Sequence, residues 1–97
     1  MGEMLVRREV MPITVAAGAV TVAVSVGASH AESAAIPAAL VRMVSTVAAF
    51  IEFGSAPVAT VASMYLPAAA PEYFRFTPGQ KASVLQVAGA GTLYVTY

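Results

Sequence analysis

Catalysis in this chain would have to be built around His30, because it is the only histidine. Nucleophilic catalysis pairs a nucleophile with a base and usually needs a third group that orients the base. The chain contains no Asp and no Cys, which excludes a Ser-His-Asp set and leaves a Ser-His-Glu set open. His30 lies in the small-residue segment Gly-Ala-Ser-His-Ala-Glu-Ser, which favours an exposed loop and a solvated imidazole. We therefore predict no catalytic residue and no enzymatic activity.

The sequence gives equally little support for a metal site or for catalysis by paired carboxylates. A zinc site needs several His or Cys ligands, and the chain offers a single histidine and no cysteine. Paired carboxylates for glycoside hydrolysis would have to come from Glu32, Glu52 or Glu72. These residues form no pattern that marks a cleft, so we interpret them as surface residues. We expect no metal site and no cofactor.

The Gly-Ala-Gly sequence at residues 89–91 is the one candidate for a phosphate-binding loop. Such a loop lies between a strand and a helix, whereas residues 92–96 alternate as a strand does. We therefore predict a hairpin turn here, in which glycine supplies a positive φ angle.

The charges are few and balanced, which limits the partners that the chain can bind. Five Lys and Arg residues stand against five Glu residues, for a net charge of zero. We predict no basic face for nucleic acid and no acidic tail for a basic partner. Arg7 and Arg8, with Glu3 and Glu9, concentrate much of this charge in the first twelve residues. This concentration indicates an N-terminal arm that docks on a neighbour.

The tyrosines are the better candidates for an interface, since a ring with a polar tip suits a half-buried contact. Phe74 and Phe76 are predicted to lie in the core. Stacking on nucleic acid would require a series of basic residues interleaved with the aromatic ones, and we expect no nucleic-acid partner. The predicted interface residues are Arg7, Arg8, Tyr65, Tyr73, Tyr94 and Tyr97.

The composition predicts a protein that assembles. The chain is 59% hydrophobic and 10% charged, whereas about a quarter of the residues of an ordinary soluble domain are charged. A monomer with so few charges would expose apolar patches and associate. We therefore expect a homo-oligomer.

Three short alternating runs, separated by Pro and Gly, occupy residues 71–97 and indicate consecutive antiparallel strands. Phe74 and Phe76 share one face of their strand, opposite Tyr73 and Arg75. Leu93, Val95 and Tyr97 likewise oppose Thr92, Tyr94 and Thr96.

The apolar N-terminal third permits three interpretations. Arg7 and Arg8 before residues 13–27, with a small-residue site ending at Ala31, are typical of a signal peptide. A membrane span would need about 20 predominantly apolar residues, and Gly18, Ser25 and Gly27 interrupt this run. Valine at every second position from 20 to 26 favours a half-buried strand instead, and we predict that strand and no membrane insertion.

Residues 38–53 are ambiguous between a helix and strands. Leu40, Met43, Val44, Val47 and Ile51 follow the spacing of an amphipathic helix after Pro37. The same stretch also divides into β-prone runs at residues 40–46 and 48–53. Periodicity leaves both alternatives open. We favour two strands because the surrounding sequence is strand-like.

These elements predict an all-β fold: a small antiparallel β-sandwich or jelly roll of about eight strands, with an N-terminal extended arm. Residues 57–60 and 63–66 are predicted to form two further short pieces. We divide the chain into residues 1–12, an arm or first edge strand, and residues 13–97, a single β-sandwich domain.

Several segments together resemble small β-structured virion proteins of tailed bacteriophages. They are residues 35–39 (Ala-Ile-Pro-Ala-Ala), 41–42, 53–60 (Phe-Gly-Ser-Ala-Pro-Val-Ala-Thr), 64–67, 71–74, 77–80 (Thr-Pro-Gly-Gln) and 91–96 (Gly-Thr-Leu-Tyr-Val-Thr). The resemblance implies a structural protein located on the capsid surface of the virion, and in the host cytoplasm during assembly. A decoration or cement subunit would form an oligomer such as a trimer and bind the major capsid protein.

Two alternatives remain beside this expectation. The protein could be a spike, fibre or tail-tip component that binds a host surface through loops such as residues 56–62 and 67–71. It could also be a secreted bacterial binding module in which residues 1–31 are the signal peptide.

Overall fold

The structure, a computed structural model, describes residues 19–97. This part of the chain contains strands, turns and loops and no helix. The strands are β1 (Thr21–Val26), β2 (Ala31–Glu32), β3 (Leu40–Ser45), β4 (Ala49–Gly54), β5 (Met64–Leu66), β6 (Glu72–Arg75), β7 (Lys81–Gln86) and β8 (Gly91–Thr96). The predicted arm, residues 1–12, and the first residues of the predicted domain, 13–18, lie outside the described residues.

The strands form two four-stranded antiparallel sheets. Sheet A has the order β1-β8-β3-β6 and sheet B the order β2-β7-β4-β5. Strand β1 pairs with β8, β2 with β7, β3 with β6 and β4 with β5. The chain therefore behaves as one long hairpin, with its tip between β4 and β5, wrapped around a common core. This is the topology of a jelly roll, one of the two architectures that the sequence pattern left open, and the predicted all-β fold of about eight strands is confirmed.

Alternation of apolar and polar residues explains which side of each strand is buried. In β1, Val24 and Val26 are buried and Ser25 between them is exposed. In β8, Leu93 and Val95 are buried, whereas Tyr94 is exposed. The two inner faces meet in one hydrophobic core: Val24, Val26, Ile36, Val41, Met43, Ala49, Ile51, Leu66, Phe76, Ala82, Val84, Leu93 and Val95. Full burial of one such Val, Leu, Ile or Phe contributes about 1.5–3 kcal/mol.

The ambiguity at residues 38–53 is resolved in favour of two strands, β3 and β4. Burial in β3 follows the period of a strand and not that of a helix. Val41 and Met43 are buried in the core, whereas Leu40, the first residue of β3, is exposed. The predicted strand in the N-terminal third is also confirmed as β1. Of the two short pieces, residues 63–66 contain β5, whereas the expected piece at residues 57–60 is not a strand.

The prediction of consecutive strands over residues 71–97 is right about the strands and wrong about their neighbours. Strands β6 and β8 belong to sheet A, where β3 lies between them, and β7 belongs to sheet B. The segment between β7 and β8 therefore crosses from one sheet to the other, and residues 89–91 do not form a hairpin turn. Long-range pairing along the wrapped hairpin, rather than the short connections, decides which strands are adjacent.

Glycine is required in this connection for close approach and not for a positive φ angle. Among the described residues, φ is positive at Gly79 and Ala69, and not at Gly89 or Gly91. A Cβ atom on Gly91 would lie 2.5 Å from the Thr46 hydroxyl and 2.7 Å from a Val47 methyl group. Gly79, with φ of 98°, follows Pro78 in a turn closed by the Gln80 amide on the Thr77 carbonyl at 3.1 Å, as a type II turn requires.

Candidate interaction surfaces

The outer face of sheet A brings together four side chains that are far apart in the sequence. Arg42 in β3 lies opposite Tyr73 in β6, and Arg75 lies opposite Leu40. On the other side of β3, Val44 lies opposite Tyr94 of β8. Alternate residues of a strand share a face, so these side chains all point away from the core. We call Arg42, Tyr73, Arg75 and Tyr94 the tyrosine–arginine face.

This face has the composition of a protein interface. Tyr73 is 49% exposed and Tyr94 is 41% exposed, although each is a large aromatic residue. The outward positions of β1, β3, β6 and β8 hold two arginines and no carboxylate. Interfaces are enriched in Tyr and Arg and depleted in Lys and Glu, and Tyr and Arg are frequent among the residues that dominate binding energy.

The absence of a basic face for nucleic acid stays a prediction, although this surface does hold two arginines. Arg42 and Arg75 are 33 positions apart in the sequence and become neighbours of the tyrosines only through the register of β3 with β6 and β8. Two charges are few, since duplex DNA carries one charge per about 1.7 Å of axis.

A second surface lies at the tip of the wrapped hairpin, where residues 55–63 connect β4 to β5. Its turn is held by side-chain hydrogen bonds: the Thr60 amide donates to Ser63 Oγ at 3.0 Å, and the Ala62 amide donates to Thr60 Oγ1 at 3.2 Å. Ser63 Oγ in turn donates to Glu52 Oε1 of β4 at 2.7 Å. These bonds fix the turn before any partner binds.

The fixed turn presents apolar side chains to solvent. Val61 is 78% exposed, the highest value among the exposed large hydrophobic residues of the described chain, and Val58, Met64 and Tyr65 are also exposed. The Tyr65 ring lies edge-on to Phe50, with ring centroids 6.2 Å apart. We call Val58 and Val61 of this connection, with Tyr65 of β5, the tip surface; Met64 points to the other side of β5. An ordered loop that exposes apolar groups pays little entropy on binding.

His30 and Ser83 form the one pair in the described chain that matches the residue types of nucleophilic catalysis. His30 Nδ1 lies 3.2 Å from Ser83 Oγ, and Glu32 and Glu52 lie opposite Ser83 on the neighbouring strands. Ser83 is 0% exposed, however, and its hydroxyl accepts the Ala59 amide at 3.0 Å. The geometry fits a latch that holds the loop after β4 against sheet B. His30 and Ser83 are 53 positions apart in the sequence, so no local motif indicates this pair.

A groove opens at the edge of the sandwich where β1 and β2 lie side by side. It has a volume of about 370 Å³ and is lined mainly by apolar side chains, among them Val22, Val24, Ala31, Ile36 and Tyr97. Glu32 at this groove pairs with Lys81 at 3.8 Å. We call this feature the edge groove.

The predicted interface residues thus occupy three places rather than one. Tyr73 and Tyr94 share the tyrosine–arginine face, Tyr65 lies on the opposite sheet, and Tyr97 packs partly against the core beside the edge groove. Arg7 and Arg8 lie outside the described residues. For all six predicted residues, a role in an interface stays a prediction.

Residues 19–97 contain no group of three or more His, Asp or Glu side chains placed to hold a metal ion. In the same range, no helix is long and apolar enough to cross a membrane.

No family model, curated protein or solved structure matches the chain. The resemblance to bacteriophage virion proteins therefore stays a prediction.

Proposed function

We propose that the protein is a structural virion protein of a tailed bacteriophage, and specifically a capsid decoration or cement subunit. In this proposal it assembles as a homo-oligomer on the head surface, where it binds the major capsid protein, and it passes through the host cytoplasm during assembly. It is a binding component rather than an enzyme.

The tyrosine–arginine face is the observation that carries this proposal. A four-stranded sheet holds the side chains in fixed positions, so little conformational entropy is lost when the face is covered. Its arginines form charge-assisted bonds with carboxylates on a partner, while its tyrosines supply large contact area. The face is therefore suited to a flat protein surface such as a shell.

Two further features support a structural role. Jelly rolls are frequent among viral capsid proteins, which is an analogy of fold and not of function. In addition, the chain has a second exposed apolar region at the tip surface, so a subunit could contact the shell and a neighbour at the same time. In this proposal the subunit uses both contacts.

The test is binding to the heads of the phage whose genome encodes the protein. Purified protein is added to heads that lack it, and occupancy is measured by co-sedimentation and by electron microscopy. Replacing Tyr73 and Tyr94 by Ala should lower the affinity at least tenfold, because a loss of about 1.4 kcal/mol has that effect and interface tyrosines often contribute more.

A matched pair of charge variants separates a specific contact from general charge. Arg42→Ser with Arg75→Ser should also weaken binding, whereas Lys81→Ser removes a cation from the other sheet and should leave occupancy unchanged. Heads that do not bind the wild-type protein would reject the proposal.

The runner-up is a spike, fibre or tail-tip component that binds a host surface. The exposed, uncharged loop at residues 55–63 favours it, since ordered loops on a rigid scaffold often carry recognition. Immunogold labelling of virions decides between the two, because label away from the head supports this candidate.

The third candidate, a secreted module released after Ala31, conflicts with the packing. Cleavage there would remove β1, whose Val24 and Val26 are buried in the core, and would divide β2 (Ala31–Glu32). Strand β8 of sheet A would lose its six residue pairs with β1. The intact mass of the natural protein checks this argument.

A further inference from the structure

The outer edge of β1 carries main-chain groups that are not used in the pairing of β1 with β8. The Val20 amide donates to the Tyr97 carbonyl at 2.7 Å, and the Tyr97 amide donates back to Val20 at 2.9 Å. Such reciprocal pairs alternate with unbonded pairs along an antiparallel ladder, so the valines of β1 bond to β8. The residues between these valines direct their amides and carbonyls away from β8; they are Thr21, Ala23 and Ser25.

Strand β1 differs from the other three edge strands, which have features that natural proteins use against edge-to-edge pairing. In sheet B the edge strands are β2, with two residues, and β5, with three. In sheet A the other edge strand is β6, which contains Glu72 and Arg75 and follows Pro71. Strand β1 has six residues, and none of them is charged, a proline or a glycine. Among the described strands, it is the one long edge without protection.

The main-chain groups of this edge are complementary to those of an identical strand. When two copies of β1 meet antiparallel with Ala23 opposite Ala23, Thr21 of each copy lies opposite Ser25 of the other. Each outward amide then faces a carbonyl of the second copy. The three side chains are small and exposed, so they leave room for a neighbouring strand, and Thr and Ser hydroxyls form favourable pairs across strands.

The charge of β1 also favours pairing with itself. Self-pairing places each side chain beside those of an identical strand, so a charged strand would bring like charges together, which is destabilising. Residues 19–29 contain no charged side chain, whereas β2 and β6 both contain a glutamate. A strongly charged partner, in contrast, would find no opposite charge on β1.

We propose that β1 pairs antiparallel with β1 of a second copy, which joins two four-stranded sheets A into one continuous sheet. The contact is isologous, because the same strand is used on both sides of a two-fold axis. Successive residues of paired strands keep their faces, so both tyrosine–arginine faces lie on the same side of the joined sheet. The inference deepens the proposed function by naming a self-contact of its homo-oligomer, and it is tested without any phage particle.

Variants that block this edge test the proposal on the full-length chain. Ala23→Pro removes an amide that β8 does not use, and proline is tolerated where the N–H side of an edge strand faces solvent. Ala23→Lys blocks the edge with a charge and keeps the amide. Ala62→Lys is the matched control, because Ala62 is exposed in the connection between β4 and β5. Circular dichroism verifies that each variant is folded. In sedimentation equilibrium, both Ala23 variants should weaken self-association by about tenfold or more, and the control should not.

Disulfide cross-linking tests the register of the two strands. The chain has no native cysteine, so Thr21→Cys and Ser25→Cys each introduce a single thiol. In the proposed register the two positions are opposite each other, with Cα atoms about 5.5 Å apart, a distance that a disulfide spans. Under mild oxidation, we expect a linked dimer when the two variants are mixed and little dimer from either variant alone.

Amide hydrogen exchange distinguishes a second copy from other occupants of the edge. The Val24 amide bonds to β8 and should be protected at every protein concentration. The Ala23 amide should exchange rapidly in dilute protein and become protected as the concentration rises. Protection of Ala23 in monomeric protein would overturn the proposal and assign the edge to the chain's own N-terminal segment.

Three further results would overturn the proposal. They are a wild-type chain that stays monomeric at its highest soluble concentration, an oligomer in which the Ala23 amide still exchanges rapidly, and a mixture of the cysteine variants that does not cross-link. Self-pairing without binding to phage heads would reject the virion function and keep this contact. Head binding by a protein that does not self-pair would reject this contact and keep the virion function.

Discussion

Phe53 of β4 and Phe76, which follows β6, bring their ring centroids to 4.7 Å at an interplanar angle of 55°. Phe53 also lies 5.0 Å from Phe74, in an edge-to-face arrangement. Because Phe53 belongs to sheet B and Phe74 to sheet A, this aromatic cluster joins the two sheets near their β5 and β6 edges.

Replacing Phe76 by Ala should lower the free energy of unfolding by about 3–5 kcal/mol, because Phe76 is only 4% exposed and its removal leaves a cavity. Phe74 is partly exposed, so Phe74→Ala should cost less. Urea titrations followed by circular dichroism measure both. Equal losses for the two variants would contradict the burial difference between them.

Replacing Gly91 by Ala should destabilise the protein by about 1–3 kcal/mol, since a new methyl group would overlap Thr46 and Val47. The clash also disturbs the bond from the Thr92 amide to Thr46 Oγ1, now 2.9 Å long. Gly89→Ala is the matched control. A Cβ atom there has no neighbour within 4 Å, and its effect should stay within about 0.5 kcal/mol. The midpoint of thermal unfolding distinguishes the two.

Replacing Ser83 by Ala should loosen the loop after β4, because the Ala59 amide then loses its acceptor. A buried donor left without a partner costs about 1–3 kcal/mol. Hydrogen exchange at the Ala59 amide should become faster, while exchange in β8 changes little. His30→Ala is the control, since it removes the other partner of the Ser83 hydroxyl and leaves the Ala59 bond in place. Fast exchange in both variants would mean that the histidine holds the loop.

Replacing Arg7 and Arg8 by Ser should leave the thermal midpoint unchanged and lower occupancy on phage heads, because a charged arm gains its affinity from electrostatic attraction. The difference in occupancy between the variant and the wild type should shrink at high salt. At 1 M salt the screening length is only about 3 Å, so exposed charges contribute little to binding. Unchanged occupancy at low salt would remove the case for the charges of the arm.

The fold could be predicted from the sequence where burial alternates strictly. Leu93, Tyr94 and Val95 alternate, and so do Phe74, Arg75 and Phe76, so the side of each strand that faces the core followed directly. Neighbouring strands could not be predicted in the same way. Pairs such as Val41 with Phe74 depend on how the chain wraps, and a local pattern holds no information on that.

The candidate surfaces, too, could be predicted only in part from the sequence. Tyr73 and Tyr94 were recognisable as exposed aromatics, because a tyrosine at a polar position of a strand has nowhere to be buried. Arg42 between them was not, since only the ladder that pairs it with Tyr73 and Thr96 places it there. Likewise, nothing near Ser83 in the sequence indicates that Ala59 folds over it.

The wrapped hairpin has a consequence for the order in which the protein folds. Ile51 and Met64 in β4 and β5 are close in the sequence, so they can meet while little of the chain has been made. Thr21 of β1 and Thr96 of β8 are hydrogen-bonded through their hydroxyl groups although they are 75 positions apart. Closing so long a loop costs more entropy than closing the short loop between β4 and β5. We expect the tip to form first and β1 to join last, after β8 has emerged from the ribosome. Until then, β1 lacks its partner β8 and is open to capture by another chain.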